Sequence, residues 1–203
     1  MKFSDIKKHF SNRGAATFSA AKLCENSIAC LKGIVKNDEP TVEVDLSDSS
    51  RPVCRQLDDN LTVCYLFDRG DDYQFVTLND MKQAGLTGDE LHAKAVKNLA
   101  RHVWPKIEIH QTEGIYALLC GGCFEASVIL ISEFWSQGIP QLAEKGLIAT
   151  LPARDMLAFC HPDSPDGVAT LRTVCGRVWP SGDHLLTNDL YKYQDSEWRV
   201  WSG

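Results

Sequence analysis

The chain has no apolar run near the roughly 20 residues that a membrane-spanning helix requires. Its hydrophobic residues, 44% of the total, are interleaved with polar ones throughout. It also lacks a basic excess. Twenty-one Lys and Arg stand against 27 Asp and Glu, a formal net charge of −6. This argues against a generic nucleic-acid or anionic-membrane surface, because both need clustered cations. There is no P-loop and no GxGxxG, so a nucleotide cradle has no support. No HExxH groups any of the six histidines, and no GxSxG marks a nucleophile elbow. Repeats and low-complexity segments are missing too. The opening MKFSDIKKHFSNRG carries charge where a secretory signal needs its apolar segment, and AATFSAAKLC is broken by Lys22. The expectation is a cytoplasmic protein that engages neither membrane nor nucleic acid.

What is present fits an ordinary globular chain. Its 203 residues are ample for a substantial core. Eight cysteines without an export signal read as reduced core thiols, Cys64, Cys160 and Cys175 among them, and not as a disulfide framework. Phe3, Ile6 and Phe10 predict a short amphipathic helix over residues 3–12. Residues 15–46 read as a strand meander in which TVEVDL alternates most clearly. The polar segment Ser47 to Pro52 is the best candidate boundary, dividing residues 1–50 from a main domain over 51–203, unless the two are one continuous domain. Leu61 to Phe67 and Tyr73 to Thr77 flank DRGDD as a hairpin.

TGDE opens the best-signalled helix, because Thr87 and Glu90 can satisfy each other's backbone N–H groups as a capping box. Leu91, Ala95, Leu99 and Val103 form its apolar stripe, Pro105 stops it, and His92 falls on its polar side. Lys106 to His110 predicts a strand. The centre of the chain is Gly114 to Cys160, read as strand, CGGC turn, buried helix through Ala126–Trp135, and strand. Apolar residues on every side of a helical wheel place that helix in a core. Pro165 to Val178 predicts another helix, and DLYKYQDSEWRVW an aromatic hairpin turning at Asp195-Ser196. The fold class is α+β: antiparallel strands and hairpins around a buried central helix, with a second, capped amphipathic helix.

The candidate chemistry is sparse. Cys120-Gly-Gly-Cys123 at a helix start has the logic of a redox CxxC, whose thiolate gains from the helix dipole. The two glycines equally read as a plain turn. Joining that pair to Cys160 and His161 would give a zinc ligand set, but adjacent strand residues point to opposite faces. No metal or cofactor is expected. Ser127 suits a backbone bond within a buried helix. Arg154-Asp155 reads either as a carboxylate steered by a guanidinium or as a structural bridge or cap.

With these residues in view, the chain resembles the YtpQ-like family of bacterial proteins, a domain of unknown function. The resemblance rests on CYLFDRGDDYQFVTLNDM, ELHAKAVKNLARHV, GIYALLCGGCFEAS, LIATLPARDMLAF and LTNDLYKYQDSEW, over the last two thirds of the chain. It implies Asn98, Glu125, Ser127, Arg154, Asp155 and Tyr191 as family-pattern positions, and it brings no assigned reaction. The leading expectation is a non-enzymatic binding or interaction protein with a basic protein partner, since complementary potentials steer encounter. One version is an immunity-type protein that plugs a toxin's active site. The alternative is an enzyme with a site at Glu125, Arg154 and Asp155, where paired carboxylates and an arginine would do acid/base chemistry.

Overall fold

A computed structural model describes residues 18–34, 48–70 and 72–203. The expected helix at 3–12 and the TVEVDL strand lie outside the described residues. The architecture is α+β and both sheets are antiparallel. The first comprises β1 (Ile28–Gly33), β2 (Cys54–Gln56), β3 (Leu61–Asp68) and β4 (Tyr73–Phe75), in the order β1-β3-β2 with β4 also on β3. The second comprises β5 (Glu108–Thr112), β6 (Ile115–Leu119), β7 (Leu147–Thr150), β8 (Leu157–Cys160), β9 (Leu190–Gln194) and β10 (Glu197–Trp201), ordered β10-β9-β7-β8-β6-β5. Since β1 pairs with β3, the chain on either side of the polar Ser47–Pro52 segment contributes to one sheet.

Among the described residues the α-helices are α1 (Ala20–Glu25), α2 (Leu78–Gln83), α3 (Gly88–Val103), α4 (Pro140–Ala143) and α5 (Pro165–Val178). α1 occupies part of the stretch expected to be a strand meander. Ser19 caps it, its hydroxyl accepting from Lys22 N at 3.3 Å, and Leu23 and Cys24 bury one side. α3 follows its sequence signals closely. Thr87 N donates to Glu90 Oε2 at 2.8 Å, Glu90 N donates to Thr87 Oγ1 at 3.2 Å, and the four stripe residues are fully buried. α2 carries a second capping box through Thr77 and Asp80. The β9–β10 hairpin turns on Asp195 and Ser196, both at positive φ. That is the twist favoured for two-residue hairpins.

The main core is shared. Leu31, Val63 and Tyr65 of the first sheet and the α3 stripe meet Leu118, Phe159 and Tyr191 of the second around Trp135. A second cluster on the other face of the six-stranded sheet joins Ile115, Ile148, Ala158, Cys160 and Leu190 to Leu171 of α5. β7 and β8 are therefore buried along their whole length.

The central segment is buried as expected but is not one α-helix. Ala126–Leu130 forms a 3-10 turn, Ile131 breaks it at ψ 85°, and Phe134–Gly138 continues as a π turn. The β-branched residues Val128, Ile129 and Ile131 disfavour an extended helix. Two bonds then fix the tighter winding. Ile131 N donates to Val128 O at 3.0 Å, and the same carbonyl accepts from Trp135 Nε1 at 3.0 Å.

Candidate functional site

Glu125 is 1% exposed. Its Oε1 accepts from Cys120 N at 2.9 Å and Gly122 N at 2.6 Å, and its Oε2 accepts from Phe124 N at 3.1 Å. Gly121 and Gly122 pass through φ 114° and 81°, which a side chain would strain. A turn so tight leaves its N–H groups pointing inward, and one carboxylate collects three of them. Glu125 is thus the internal brace of the CGGC turn, not a group presented to a substrate.

Arg154 lies next to this brace through the backbone, its carbonyl accepting from Ala126 N at 3.1 Å. Its own N donates to His184 O at 3.2 Å. Among the described residues its guanidinium forms no ion pair with Glu125 or Asp155. It sits near enough to Cys30 and Tyr73 to favour their ionised forms, an influence smaller than the burial that pushes both up. Asp155 is exposed on the turn closed by Met156 N donating to Ala153 O at 3.1 Å. Glu125 and Arg154 are joined through the backbone, and the Glu125 carboxylate spends its hydrogen bonds on the N–H groups of its own turn.

The remaining expected positions are joints as well. Ser127 Oγ accepts from Leu31 N at 3.0 Å, tying the 3-10 turn to β1. Asn98 Nδ2 donates to Glu25 O at 2.8 Å and Ser27 O at 2.9 Å, docking α3 on the link between α1 and β1. Tyr191 Oη donates to Asp58 Oδ2 at 2.7 Å, while Asp58 Oδ1 accepts from Asn60 N and Leu61 N at 2.7 and 2.8 Å. Asn60 Nδ2 in turn donates to Asp189 Oδ2. This bridge between the sheets was missed from the sequence, although Asp58-Asp59-Asn60 ahead of Leu61 is a turn signature. Burial and the bond to Asp58 push the Tyr191 phenol well up, so it stays protonated. His92 is half-buried and not simply solvated: its Nδ1 lies 3.2 Å from Tyr65 Oη, and burial lowers its pKa.

The Cys120 thiol of the CGGC turn is poorly placed for redox work. Burial, then the adjacent Glu125 carboxylate, push Cys120 up to about 12. Cys160 belongs to the cluster beneath α5, whereas Cys120 belongs to the main core, so the zinc combination with His161 is not assembled. Among the described residues no group of three or more His, Cys, Asp or Glu is arranged to hold a metal ion. A different set of thiols does converge. Register places Cys54 of β2 opposite Cys64 of β3, and Cys64 opposite Cys30 of β1, in one row across three strands.

A cleft of 890 Å³ opens beside the β9–β10 turn. Trp135 and Tyr193 lie at it, and Glu144, Asp163 and Asp195 share its walls with Lys145 and Lys192. An apolar recess of 360 Å³ on the other side of the same turn is lined by Leu57, Ile129 and Trp198. Trp135, Tyr193 and Trp198 pack ring against ring at 4.9–6.1 Å, so the terminal aromatics expected in the hairpin are chiefly packing residues. Trp198 Nε1 is buried with no partner among the described residues.

Comparison of the chain with protein-family models, characterised proteins and solved structures finds no match to any of them. Among the described residues no helix is long and apolar enough to cross a membrane.

Proposed function

We propose that the protein is a non-enzymatic binding protein of the cytoplasm, belonging with the YtpQ-like proteins it resembles, and that its partner is a basic protein. One observation carries the reading. Glu125, Ser127, Asn98 and Tyr191, the polar residues that chemistry would have recruited, each hold backbone or another loop in place. An enzyme built on Glu125, Arg154 and Asp155 loses its acid/base group to the turn that Glu125 braces. The cleft beside the β9–β10 turn is the surface suited to a partner. It sets three carboxylates and two lysines near buried aromatics, a slight acidic excess, and the net charge of −6 favours encounter with a basic surface. One form of this binding is an immunity-type role, neutralising a toxin by occupying its active site.

Affinity capture from the native host, followed by mass spectrometry, tests the reading. A stoichiometric basic protein is expected, and its capture should weaken when Asp163 and Asp195 are changed to Lys. Absence of any stoichiometric protein partner, or capture indifferent to both substitutions and to salt, would overturn it.

A further inference from the structure

β2 is a three-residue edge strand, and all its residues are exposed. Cys54 there lies directly opposite Cys64, and the two Sγ atoms are 3.2 Å apart. Leu57 N donates to Leu61 O at 2.9 Å. Antiparallel alternation then makes Cys54–Cys64 a non-hydrogen-bonded pair, the class whose Cα atoms are only about 4.5 Å apart. That spacing falls within the range of protein disulfides. On the other side of β3, Ile34 N donates to Asn60 O at 2.7 Å, which puts Cys30–Cys64 in the wider, hydrogen-bonded class. Cys30 is also 2% exposed. Of the three thiols in the row, only Cys54 is exposed, and the buried Cys64 is its close partner.

The pair is chemically unequal. The hydrogen bond from Cys64 lowers Cys54 to about 7, against some opposition from burial. The same bond, with burial added, raises Cys64. Cys54 is thus both the exposed thiol and the one that ionises first, the two properties an attacking thiol needs.

We propose that Cys54 and Cys64 form a reversible dithiol–disulfide site that exchanges with low-molecular-weight disulfides, Cys54 attacking and Cys64 resolving. The Cys54 thiolate attacks one sulfur of the small disulfide. A Cys54–S bond forms, the S–S bond breaks, and the first small thiolate leaves. Cys64 then gives up its proton to solvent and attacks Cys54 Sγ. The Cys54–Cys64 bond forms and the second small thiolate leaves. Two electrons pass from the protein dithiol to the small disulfide, which ends as two thiols. The bridge pins the edge strand to β3.

The test exposes the folded full-length protein to buffers of rising glutathione disulfide to glutathione ratio. Free thiols are trapped with iodoacetamide, and intact mass and peptide mapping follow. The expected course is a transient glutathione adduct on Cys54, then loss of two thiols together and a cross-linked peptide joining Cys54 to Cys64. Cys54→Ser, at an exposed position, should abolish both species. Cys64→Ala should arrest at the Cys54 adduct and slow its formation at pH 7 by about fivefold. That figure sets a roughly 50-fold drop in thiolate against the greater nucleophilicity of a more basic thiol. Should Cys64→Ala fail to fold, the wild-type time course decides by itself. A stable adduct that never resolves, a bridge mapping to Cys120–Cys123 or another pair, or no reaction where a control dithiol peptide is oxidised would each overturn the proposal.

Discussion

Replacing Glu125 by Gln separates a brace from a catalytic acid, because only a brace predicts a large loss of stability. The carboxylate accepts three backbone N–H groups in a site 1% exposed. The amide of Glu125→Gln would keep one acceptor oxygen, enough for Cys120 N and Gly122 N, but would turn its NH2 group toward Phe124 N–H. One bond is lost, two lose their charge assistance, and a buried donor meets a donor. Hydrogen bonds to charged groups contribute about 1.5–3 kcal/mol each, and an unsatisfied buried group costs about 1–3 kcal/mol. The expected loss is about 3 kcal/mol, a substantial share of the roughly 5–15 kcal/mol that holds a domain folded. For a chain of this size it should lower Tm by about 6–12 °C. Glu125→Ala, which orphans all three donors, should cost more. Urea titration of both variants, followed by far-UV circular dichroism, gives the measurement. A Glu125→Gln variant within about 0.5 kcal/mol of wild type, the range of an ordinary surface substitution, would refute the brace and restore Glu125 as a group held for chemistry.

Four further outcomes follow from the same geometry. Asn98→Ala removes both bonds from α3 to the α1–β1 link, and should destabilise by about 1–3 kcal/mol while speeding amide exchange in α1 more than in α3. Tyr191→Phe should cost a similar amount by removing the hydroxyl donor from Asp58. It should also change the alkaline limb of stability. The folded state holds the Tyr191 proton, chiefly through burial, above the ordinary 10.0, so its contribution is complete below about pH 10 and is lost as pH rises further, by at most about 1.4 kcal/mol per pH unit. Tyr65, pushed up to about 12 mainly by burial, acts in the same direction, so Tyr191→Phe should flatten the decline without abolishing it. Cys54, with Cys64 and Tyr65 as its neighbouring titratable groups, should alkylate with a midpoint near pH 7, where a midpoint near 9.0 would show that Cys64 does not support its thiolate. Thr87→Ala should cost about 1 kcal/mol through loss of the α3 cap, read from denaturant midpoints.

What was legible in the chain followed the range of the interactions involved. α3 could be read because Thr87, Glu90 and the stripe from Leu91 to Val103 act within one helix. The β9–β10 hairpin could be read because Asp195-Ser196 sets its turn locally. The central segment was placed correctly in the core but given the wrong winding. Apolar residues all round report burial and not pitch. Its pitch depends on bonds that no local pattern carries, such as Ser127 with Leu31 and Ala126 with Arg154, partners 96 residues apart in the first case. The site was less legible still. β2 is three exposed residues with no alternation, so nothing in the sequence announced that Cys54 would face Cys64. Asp58, which bridges the sheets to Tyr191 across 133 positions, gave only a turn signal.

The two close cysteine pairs show why spacing is a weak guide to thiol chemistry. Cys120 and Cys123 have the redox spacing, yet the fold sets a buried carboxylate against the backbone of their turn. That carboxylate braces the turn and, by the same proximity, opposes a thiolate at Cys120. Cys54 and Cys64 have no motif, yet sheet register sets the two thiols within hydrogen-bond distance of each other at an exposed edge. A thiolate needs a donor and access to an oxidant, and both are properties of what lies across the strand. Weakening the brace and testing the pair are therefore linked experiments. Glu125→Gln should lower the Cys120 pKa only in part, since burial is its larger cause, and should leave the reactivity of Cys54 unchanged. If Glu125→Gln instead moved oxidation from Cys54–Cys64 to Cys120–Cys123, the carboxylate would be the element that decides which pair of thiols reacts.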